Sequence, residues 1–400
     1  MWAEWTIATK FLREGRTQSV LILVGIGVGV AVLVFLSALI TGLQQNIIDR
    51  TLGTQPHIKI QPPQERNLIV PPPPGTTQLV LETQRAQRLR SINNWQQVRD
   101  VLDTLPQLTA VSPVVSGPAF VRRGEALLPV ALLGIDPERY RRIIAVQDEL
   151  VAGAFRIGAG DAVIGRQLAA DLGVRVGDKV RVDGGQGRES VVNVAGIFEL
   201  GVRELDARYL YLDMKQVQSL LELPGAATGI DVKVRDIFAA QDVAARLARL
   251  TGLRAESWIE TNAQLMNALR SQSLSTQMIG LFVALSVALG IASVLSVSVV
   301  QRTRDIGILR AMGTTRQQML RVFLIQGAVF GLVGSLVGGA AGYGLVTAFN
   351  VLGPKLFPIP MSPWLLVLAA ALATVTGVLS AAVPARRAAA LDPAEAIRHV

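Results

Sequence analysis

Four long, uncharged apolar stretches dominate the pattern of hydrophobic and polar positions along the chain. The first, at residues 20–43, runs for 24 residues without a charge. A helix of about 20 residues crosses the hydrocarbon core of a bilayer. The pattern therefore predicts a membrane protein with four transmembrane α-helices, at 19–43, 278–300, 322–350 and 364–383. Because proline cannot continue a helix, Pro384 is predicted to end the fourth.

The segment before the first span carries both basic and aromatic residues. Lys10, Arg13 and Arg16 would fit a signal peptide, but the apolar stretch that follows is longer than the usual 7–15 residues of a signal sequence. Residues 1–18 also fit an interfacial amphipathic helix, with Trp2 and Trp5 on its apolar side at the headgroup level. The alternative is a plain extension of the first span.

Basic residues next to the spans predict the orientation. Segments 1–18, 301–321 and 384–400 together carry 11 basic and 5 acidic residues, whereas the short outer loop 351–363 carries only Lys355. Lysine and arginine accumulate on the cytoplasmic side of membrane proteins. Both termini and the 301–321 loop are thus predicted to be cytoplasmic, and residues 44–277 periplasmic or otherwise extracytoplasmic, in a multi-pass protein of the cytoplasmic (inner) membrane.

The region 44–277 has the pattern of an α+β domain. Short apolar runs bounded by turn residues predict strands, and Asp183-Gly184-Gly185 is a hairpin signal. A β-rich subdomain is predicted over about 115–225, with a second subdomain built from its flanks. The predicted strands are 119–122, 128–134, 178–182, 190–198, 209–212 and 230–234, and the predicted helices are 95–105, 166–172, 214–221 and 238–250. The proline-rich segment 61–80 is predicted to be extended, either as a spacer or as a partner-docking loop.

Composition and motifs argue against several functions. The net charge of +9 lies mainly beside the spans, so no basic domain points to nucleic acid. With no cysteine and two histidines, at 57 and 399, a metal site is not expected, and no G-x-S-x-G or H-E-x-x-H motif indicates a catalytic residue. The sequence contains no Gly-Lys dipeptide and therefore no Walker A motif. We expect a non-enzymatic protein that binds no cofactor directly.

Small residues in the spans predict close helix packing. Gly25 and Gly29 form a G-x-x-x-G face in the first span, and the third span carries two rows with a spacing of four. The alternative is the general abundance of glycine in membrane helices. A dimer is also inferred, since four spans are few for a transport route. The rows of the third span are Gly331, Ser335, Gly339 and Gly334, Gly338, Gly342.

The loop 301–321 predicts a short helix at the cytoplasmic membrane face. The helix is expected from about Asp305, with Ile306, Leu309 and Met312 on one side and Gly313 as a left-handed stop. Thr315 and Gln318 form a capping-box pattern that begins the next helix. Such an element can transmit force between an internal partner and the membrane, and the alternative is a passive basic loop.

Several motifs resemble those of one transporter family. DIGILRAMG at 305–313 followed by VFLIQG, PARR at 384–387 with LDPAEAI at 391–397, and IGRQLAADLGVRVGD at 164–178 are similar to segments of FtsX-like ABC permeases of the MacB and LolC/LolE type. GLQQN at 42–46 and QPHI at 55–58 resemble the lipoprotein-releasing branch. The proline-rich segment departs from that branch.

The resemblance implies a permease that pairs with a second copy or a paralogue and carries two copies of an ABC ATPase subunit, which binds ATP and Mg. ATP-driven closure would move the outer domain, a mechanism called mechanotransmission, for lipoprotein release or export of a lipid-linked substrate. A periplasmic carrier or adaptor and membrane lipids are further implied partners. The implied ATPase-coupling residues are Arg304, Asp305, Ile306, Gly307, Leu309, Arg310, Ala311, Met312 and Gly313.

Other functions remain open on the residues alone. A MacB-type efflux permease working with a periplasmic adaptor is the nearest alternative, and a regulator of cell-wall hydrolases would have a smaller outer domain. From another class, a membrane receptor with a ligand-binding outer domain would carry a larger cytoplasmic output domain. An enzyme with its active site in 44–277 lacks a catalytic constellation.

Overall fold

The chain folds into two compact units. A computed structural model describes residues 2–14, 16–63, 89–185, 187–353 and 357–390. We call Met1–Ile48 with Asn267–Val400 the helical unit, and Asp49–Met266 the sheet domain. Most of the predicted proline-rich segment, the side chain of Trp2 and the tail motif at 391–397 lie outside the described residues.

In chain order the elements are α1 (Trp2–Glu14), α2 (Arg16–Thr54), β1 (Ile58–Gln61), α3 (Trp95–Asp103), β2 (Leu108–Arg123), β3 (Ala126–Ile135), α4 (Pro137–Tyr140), a 3₁₀ helix (Val146–Glu149), β4 (Leu150–Gly153), β5 (Asp161–Gly165), α5 (Arg166–Leu172), β6 (Lys179–Asp183), β7 (Glu189–Phe198), α6 (Arg203–Arg208), β8 (Tyr209–Asp213), α7 (Met214–Leu220), β9 (Gly229–Val234), α8 (Ala240–Thr251), β10 (Arg254–Ser257), α9 (Trp258–Thr261), α10 (Ala263–Gln301), α11 (Thr303–Ala311), α12 (Arg316–Leu352) and α13 (Pro363–Ala390).

Among the described residues, four helices are long and apolar enough to cross a membrane: α2, α10, α12 and α13. Helices α2 and α10 extend well beyond the apolar stretches that predicted them. Their polar extensions are tied together, because Gln44 Nε2 donates to the Ser273 hydroxyl at 3.3 Å and to the Leu269 carbonyl at 3.4 Å. The compact sheet domain spans Asp49–Met266, within the region 44–277 that was predicted to be extracytoplasmic.

The prediction that the fourth helix ends at Pro384 is wrong. Helix α13 continues through Pro384 to Ala390. A proline inside a helix removes one backbone hydrogen bond, at a cost of about 3 kcal/mol. The residues beyond it, Ala385, Ala388 and Ala389, are buried in the helical unit, and their packing holds the last turn in place.

Helix α1 is a separate helix rather than an extension of the first span. Ala8 and Phe11 are buried against Val322 of α12, and Gln326 Nε2 donates to the Ala8 carbonyl at 3.4 Å. Trp5 is 54% exposed. The helix thus has one face against α12 and leaves Trp5 about half exposed.

Six strands of the sheet domain close into a barrel. β2, β3, β8, β5, β7 and β6 are hydrogen-bonded in that order, and β6 pairs again with β2. Every strand of the ring contributes alternate residues to one buried cluster, because successive strand residues point to opposite faces. These residues include Val121, Leu132, Ile164, Val182, Val194 and Leu210.

A smaller sheet extends from the long strand β2. β9 pairs with β2, β1 with β9, and β10 with β1, all antiparallel. Helix α8, predicted at 238–250, precedes β10 in the chain, and its apolar stripe is buried: Ala240, Val243, Ala244 and Leu247.

The strand predictions differ from the structure mainly in β2 and in the short strands. β2 spans 16 residues, where the sequence predicted 119–122, because Pro113 and Pro118 mask a continuous strand. β1, β4, β5 and β10 were not predicted, since four or five residues show too little alternation. The predicted hairpin between β6 and β7 is confirmed, with Gly185 at φ 83° donating its N–H to Asp183 Oδ1 at 2.8 Å.

Asp231 is a buried carboxylate in strand β9. Burial raises its pKa from 3.8 to about 6, opposed by the positive charge of Lys59. Within the described part of the chain, its Oδ1 atom has no hydrogen-bond partner. The folded state therefore favours the protonated acid, and its ionisation near neutral pH opposes folding.

We expect Asp231→Asn to flatten the pH dependence of stability. The contribution of the neutral carboxyl group to the free energy of unfolding is fully present below about pH 3.8 and is lost as the pH rises through about 6. The free energy of unfolding should therefore fall by roughly 1–1.5 kcal/mol between pH 5 and pH 8 because of this group. Melting temperatures of the purified chain at both pH values should converge in the variant.

The control is Asp100→Asn, the same chemical change at an exposed carboxylate. This variant should keep the wild-type difference between the two pH values. If the difference between the melting temperatures at pH 5 and pH 8 were unchanged in Asp231→Asn, another titratable group would govern the pH dependence of stability in this range.

Candidate coupling site

Helix α11 is a short, sharply bounded element between two of the long helices. It starts at Thr303, two residues before the predicted start, and ends at Ala311. The predicted left-handed stop is confirmed, because Gly313 has φ 101°. The predicted capping box is also confirmed, with the Gln318 N–H donating to Thr315 Oγ1 and the Thr315 N–H donating to Gln318 Oε1 at 2.9 Å.

The inner face of α11 is packed into the helical unit. Ile306 is fully buried in a cluster with Met319 and Phe323 of α12 and with Ala385 of α13. Leu309 packs on the neighbouring cluster formed by α1 and α12. The apolar side of α11 is therefore seated on three other helices.

Arginines at both ends of α11 add polar anchors. Arg310 Nη1 donates to the Ala389 carbonyl of α13 at 3.2 Å. Arg302 Nη2 donates to the Phe11 carbonyl of α1 at 2.7 Å, and its guanidinium lies 4.6 Å from the centre of the Phe11 ring. A cation over an aromatic face adds a favourable electrostatic contact. α11 is thus connected to α1, α12 and α13.

The solvent side of α11 forms a separate exposed surface, which we call the outer face. Met312 is 72% exposed and Ile308 is 41% exposed. We treat this exposed apolar pair, flanked by charges, as the candidate partner-binding surface. The outer face consists of Arg304, Asp305, Ile308, Ala311, Met312 and Gly313.

This division separates the predicted coupling residues into two groups. Ile306 and Gly307 are buried on the inner face of α11. Met312 does not share a side with Ile306 and Leu309, because the helix ends at Ala311 and the chain turns at Gly313. Leu309 and Arg310 are half-buried anchors.

Ile308 was missing from the predicted set. At 3.6 residues per turn it lies one turn after the charged Arg304 and one turn before Met312. The signal available in the sequence was this spacing, which puts an apolar residue on a face of the helix that also carries charged residues.

The small residues of the third span pack within the chain on two different helices. A Cβ atom on Gly338 would lie 2.5 Å from the Gly27 carbonyl oxygen of α2, and one on Gly331 would lie 2.6 Å from the Ala373 carbonyl oxygen of α13. Gly334 and Gly342 meet Ile26 and Val34 of α2, Gly339 meets Leu366 of α13, and Ser335 is buried.

Of the two glycines predicted in the first span, Gly29 packs against another helix and Gly25 does not, while Gly27, which was not predicted, does. A Cβ atom on Gly25 would meet nothing within 4 Å in the described residues, whereas Gly27 backs onto α12. Gly29 faces α10, where a Cβ atom would lie 3.0 Å from Val287 Cγ2. Since both rows of α12 are occupied by α2 and α13, they do not by themselves indicate a second copy of the chain.

In the part of the chain that the structure describes, no three His, Asp or Glu side chains lie close enough together to hold a metal ion. The described residues form four long apolar helices, a large domain between the first and second, and an anchored short helix between the second and third. Together they define a multi-pass membrane protein of the permease class.

Comparison with protein families identifies the group. Residues 19–250 match the MacB-like periplasmic core domain and residues 278–393 match the FtsX-like permease C-terminal domain. The chain belongs to the family of FtsX-like permeases with a MacB-like periplasmic core domain. It is an ABC transporter permease of the LolC/LolE and MacB type, and most of the sheet domain lies within the region that matches the MacB-like periplasmic core domain.

Curated relatives fall into two groups. The lipoprotein-releasing system transmembrane protein LolC of Xylella fastidiosa is 28% identical over 343 residues, which cover 77% of this chain and 82% of LolC. LolE of Haemophilus influenzae is 27% identical, with 77% and 81% covered. The macrolide export ATP-binding/permease protein MacB of Agrobacterium fabrum is 28% identical, with 74% of this chain but 48% of MacB covered.

Among solved structures, the periplasmic region of MacB from Actinobacillus actinomycetemcomitans matches 55% of this chain and 95% of its own length, with 15% identity and a TM-score of 0.36. The extracellular domain of YknZ from Gram-positive bacteria matches 42% of this chain and 89% of its own length, with 15% identity and a TM-score of 0.32.

Proposed function

We propose that this permease couples ATP hydrolysis by a separate ATPase subunit to movement of its extracytoplasmic domain, for release of lipoproteins or export of a lipid-linked substrate. The observation that carries the proposal is the division of α11 into an exposed outer face and a buried, anchored inner face. The outer face offers Ile308 and Met312 to a partner. The inner face joins α11 to three other helices.

This arrangement suits force transmission. Interdigitated side chains resist displacement, so a push on an anchored helix moves its neighbours with it. A push on α11 is received by α12 through Ile306 and by α13 through the Arg310 contact with Ala389. The spans would carry this movement to the extracytoplasmic domain.

The proposed orientation puts α11 and both chain ends in the cytoplasm. Five arginines lie in segment 301–321 against one acidic residue, Asp305. This is the charge bias of a cytoplasmic loop. α11 would then face ATP and the ATPase, and the sheet domain would lie in the periplasm.

The extent of the similarity favours the lipoprotein-releasing branch. The matches to LolC and LolE cover more than four fifths of those relatives, whereas the match to MacB covers about half of a relative whose name includes an ATP-binding part. We accordingly propose two ATPase copies, a second permease copy or paralogue, and a periplasmic carrier protein as partners.

Macrolide-type efflux with a periplasmic adaptor is the second candidate. The observation in its favour is that the MacB-like core domain model matches residues 19–250, which include most of the extracytoplasmic domain.

The test is affinity purification of the intact complex from membranes, with identification of its components. We expect an ABC ATPase, a second permease copy or paralogue and, after crosslinking, a lipoprotein carrier. A hairpin-shaped adaptor in place of the carrier would favour efflux. Recovery of the folded permease without any ATPase would contradict both candidates.

A further inference from the structure

A groove of about 860 Å³ lies between α1, α12 and α13 of the helical unit. One end of its lining is polar, with Glu4 and Arg321, and the other end is apolar, with Leu324, Ala328 and Val378. This change from a charged to an apolar lining along a membrane-spanning helix matches a lipid molecule, in which a charged headgroup is joined to hydrocarbon chains.

The polar end holds one charge of each sign. Arg321 Nη1 lies 3.4 Å from Glu4 Oε1, and the Arg321 side chain is 57% exposed while that of Glu4 is 6% exposed. A strong charge-assisted contact between such groups is shorter, at about 2.7–2.9 Å. Since a guanidinium has five N–H donors, Arg321 can bind a phosphate and keep its contact with Glu4.

The apolar end continues along α12 from this ion pair. Leu324 and Ala328 follow Arg321 by one and two helical turns, so Ala328 lies about 10 Å further along the axis. Val378 of α13 forms part of the opposite wall. Trp5 at the rim is half exposed, and tryptophan in membrane proteins concentrates at the headgroup level.

We propose that this groove is a binding site for one zwitterionic phospholipid with a primary ammonium group, taken from the leaflet that contains α1. The lipid phosphate binds Arg321, the ammonium group lies toward Glu4, and an acyl chain follows Leu324 and Ala328. The Glu4 carboxylate attracts the ammonium group and disfavours an anionic headgroup. The bound lipid would hold α1 against α12, beside the anchors of α11.

Native mass spectrometry of the full chain in mild detergent tests the site. The probes are phosphatidylethanolamine and phosphatidylglycerol with identical acyl chains. We expect one retained phosphatidylethanolamine per chain and weaker retention of phosphatidylglycerol. Arg321→Gln should raise the dissociation constant about 10-fold or more, because a phosphate loses a charged donor. Ala328→Phe should weaken binding similarly by filling the path of the acyl chain.

The matched control is Arg316→Gln, an exposed arginine on the same helix outside the groove, which should bind as the wild type does. Ala328→Phe changes neither Glu4 nor Arg321, so its effect on binding tests the apolar end of the groove separately from the charged end. Wild-type binding by Ala328→Phe, equal binding by all variants, or preference for phosphatidylglycerol would each overturn the proposal.

Discussion

Gly338→Val will separate α12 from α2 and destabilise the helical unit by roughly 3 kcal/mol or more. A Cβ atom at this position would lie 2.5 Å from the Gly27 carbonyl oxygen and 2.7 Å from Val30 Cβ. Both lie on or beside the α2 backbone, so no flexible side chain can move aside. We expect the melting temperature of the purified chain to fall by about 10 °C, given a few degrees per kcal/mol for proteins of this size.

Valine substitutions at two other glycines are the controls for the effect of introducing valine into a membrane helix. Gly344 lies on the same helix and Gly25 on the partner helix, and a Cβ atom on either meets nothing within 4 Å in the described residues. Gly344→Val and Gly25→Val should therefore melt within a few degrees of the wild type. A similar loss in all three variants would mean that valine is unfavourable at any of these positions and that the close approach at Gly338 is not the cause.

Met312→Glu is expected to remove the partner ATPase without unfolding the permease. Met312 is 72% exposed on the outer face, so a charge there costs the folded chain little. At the centre of an apolar contact, an unpaired carboxylate is desolvated, and the loss of a central contact residue costs at least about 2 kcal/mol of binding. The ATPase recovered per permease should fall by a factor of about 30.

Gln317→Glu is the control for the added charge. Gln317 is exposed in the first turn of α12, outside the outer face. This variant should retain the ATPase. Wild-type recovery of the ATPase with Met312→Glu would exclude the outer face as its binding surface.

Arg310 offers a contrast between binding and transmission. Its side chain reaches the Ala389 carbonyl and belongs to the anchors of α11. Arg310→Gln should retain the ATPase and its hydrolysis of ATP, yet lower transport, because the link between α11 and α13 is weakened. If binding and transport fell together in both variants, α11 would serve only as an attachment point.

Local signals in the sequence were sufficient for much of the coupling site. Gly313 is a stop because few residues other than glycine adopt φ near 100°. Thr315 and Gln318 form a capping box because both hydrogen bonds join residues only three positions apart. Neither feature depends on what the helix packs against, so both could be predicted.

Which residues of α11 face outward could not be predicted in the same way. Ile306 and Ile308 are chemically identical, and only the positions of α12 and α13 make the first buried and the second exposed. The continuation of α13 through Pro384 could not be predicted locally either. The burial of the alanines that follow it offsets the free-energy cost of a proline inside a helix. A Cβ atom on Gly25 would meet none of the described residues within 4 Å, whereas one on Gly27 would contact α12, because of the rotation of α2 against α12.

The four spans, the domain between the first two and the bounded helix after the second could be predicted from the sequence. These follow from apolar length, alternation and capping, which are properties of contiguous residues. Only the folded chain shows which rows of small residues meet which helix, that six strands close into a barrel, and which side of α11 is exposed. Those features join residues far apart in the chain, and contacts of that kind leave no local signature in sequence.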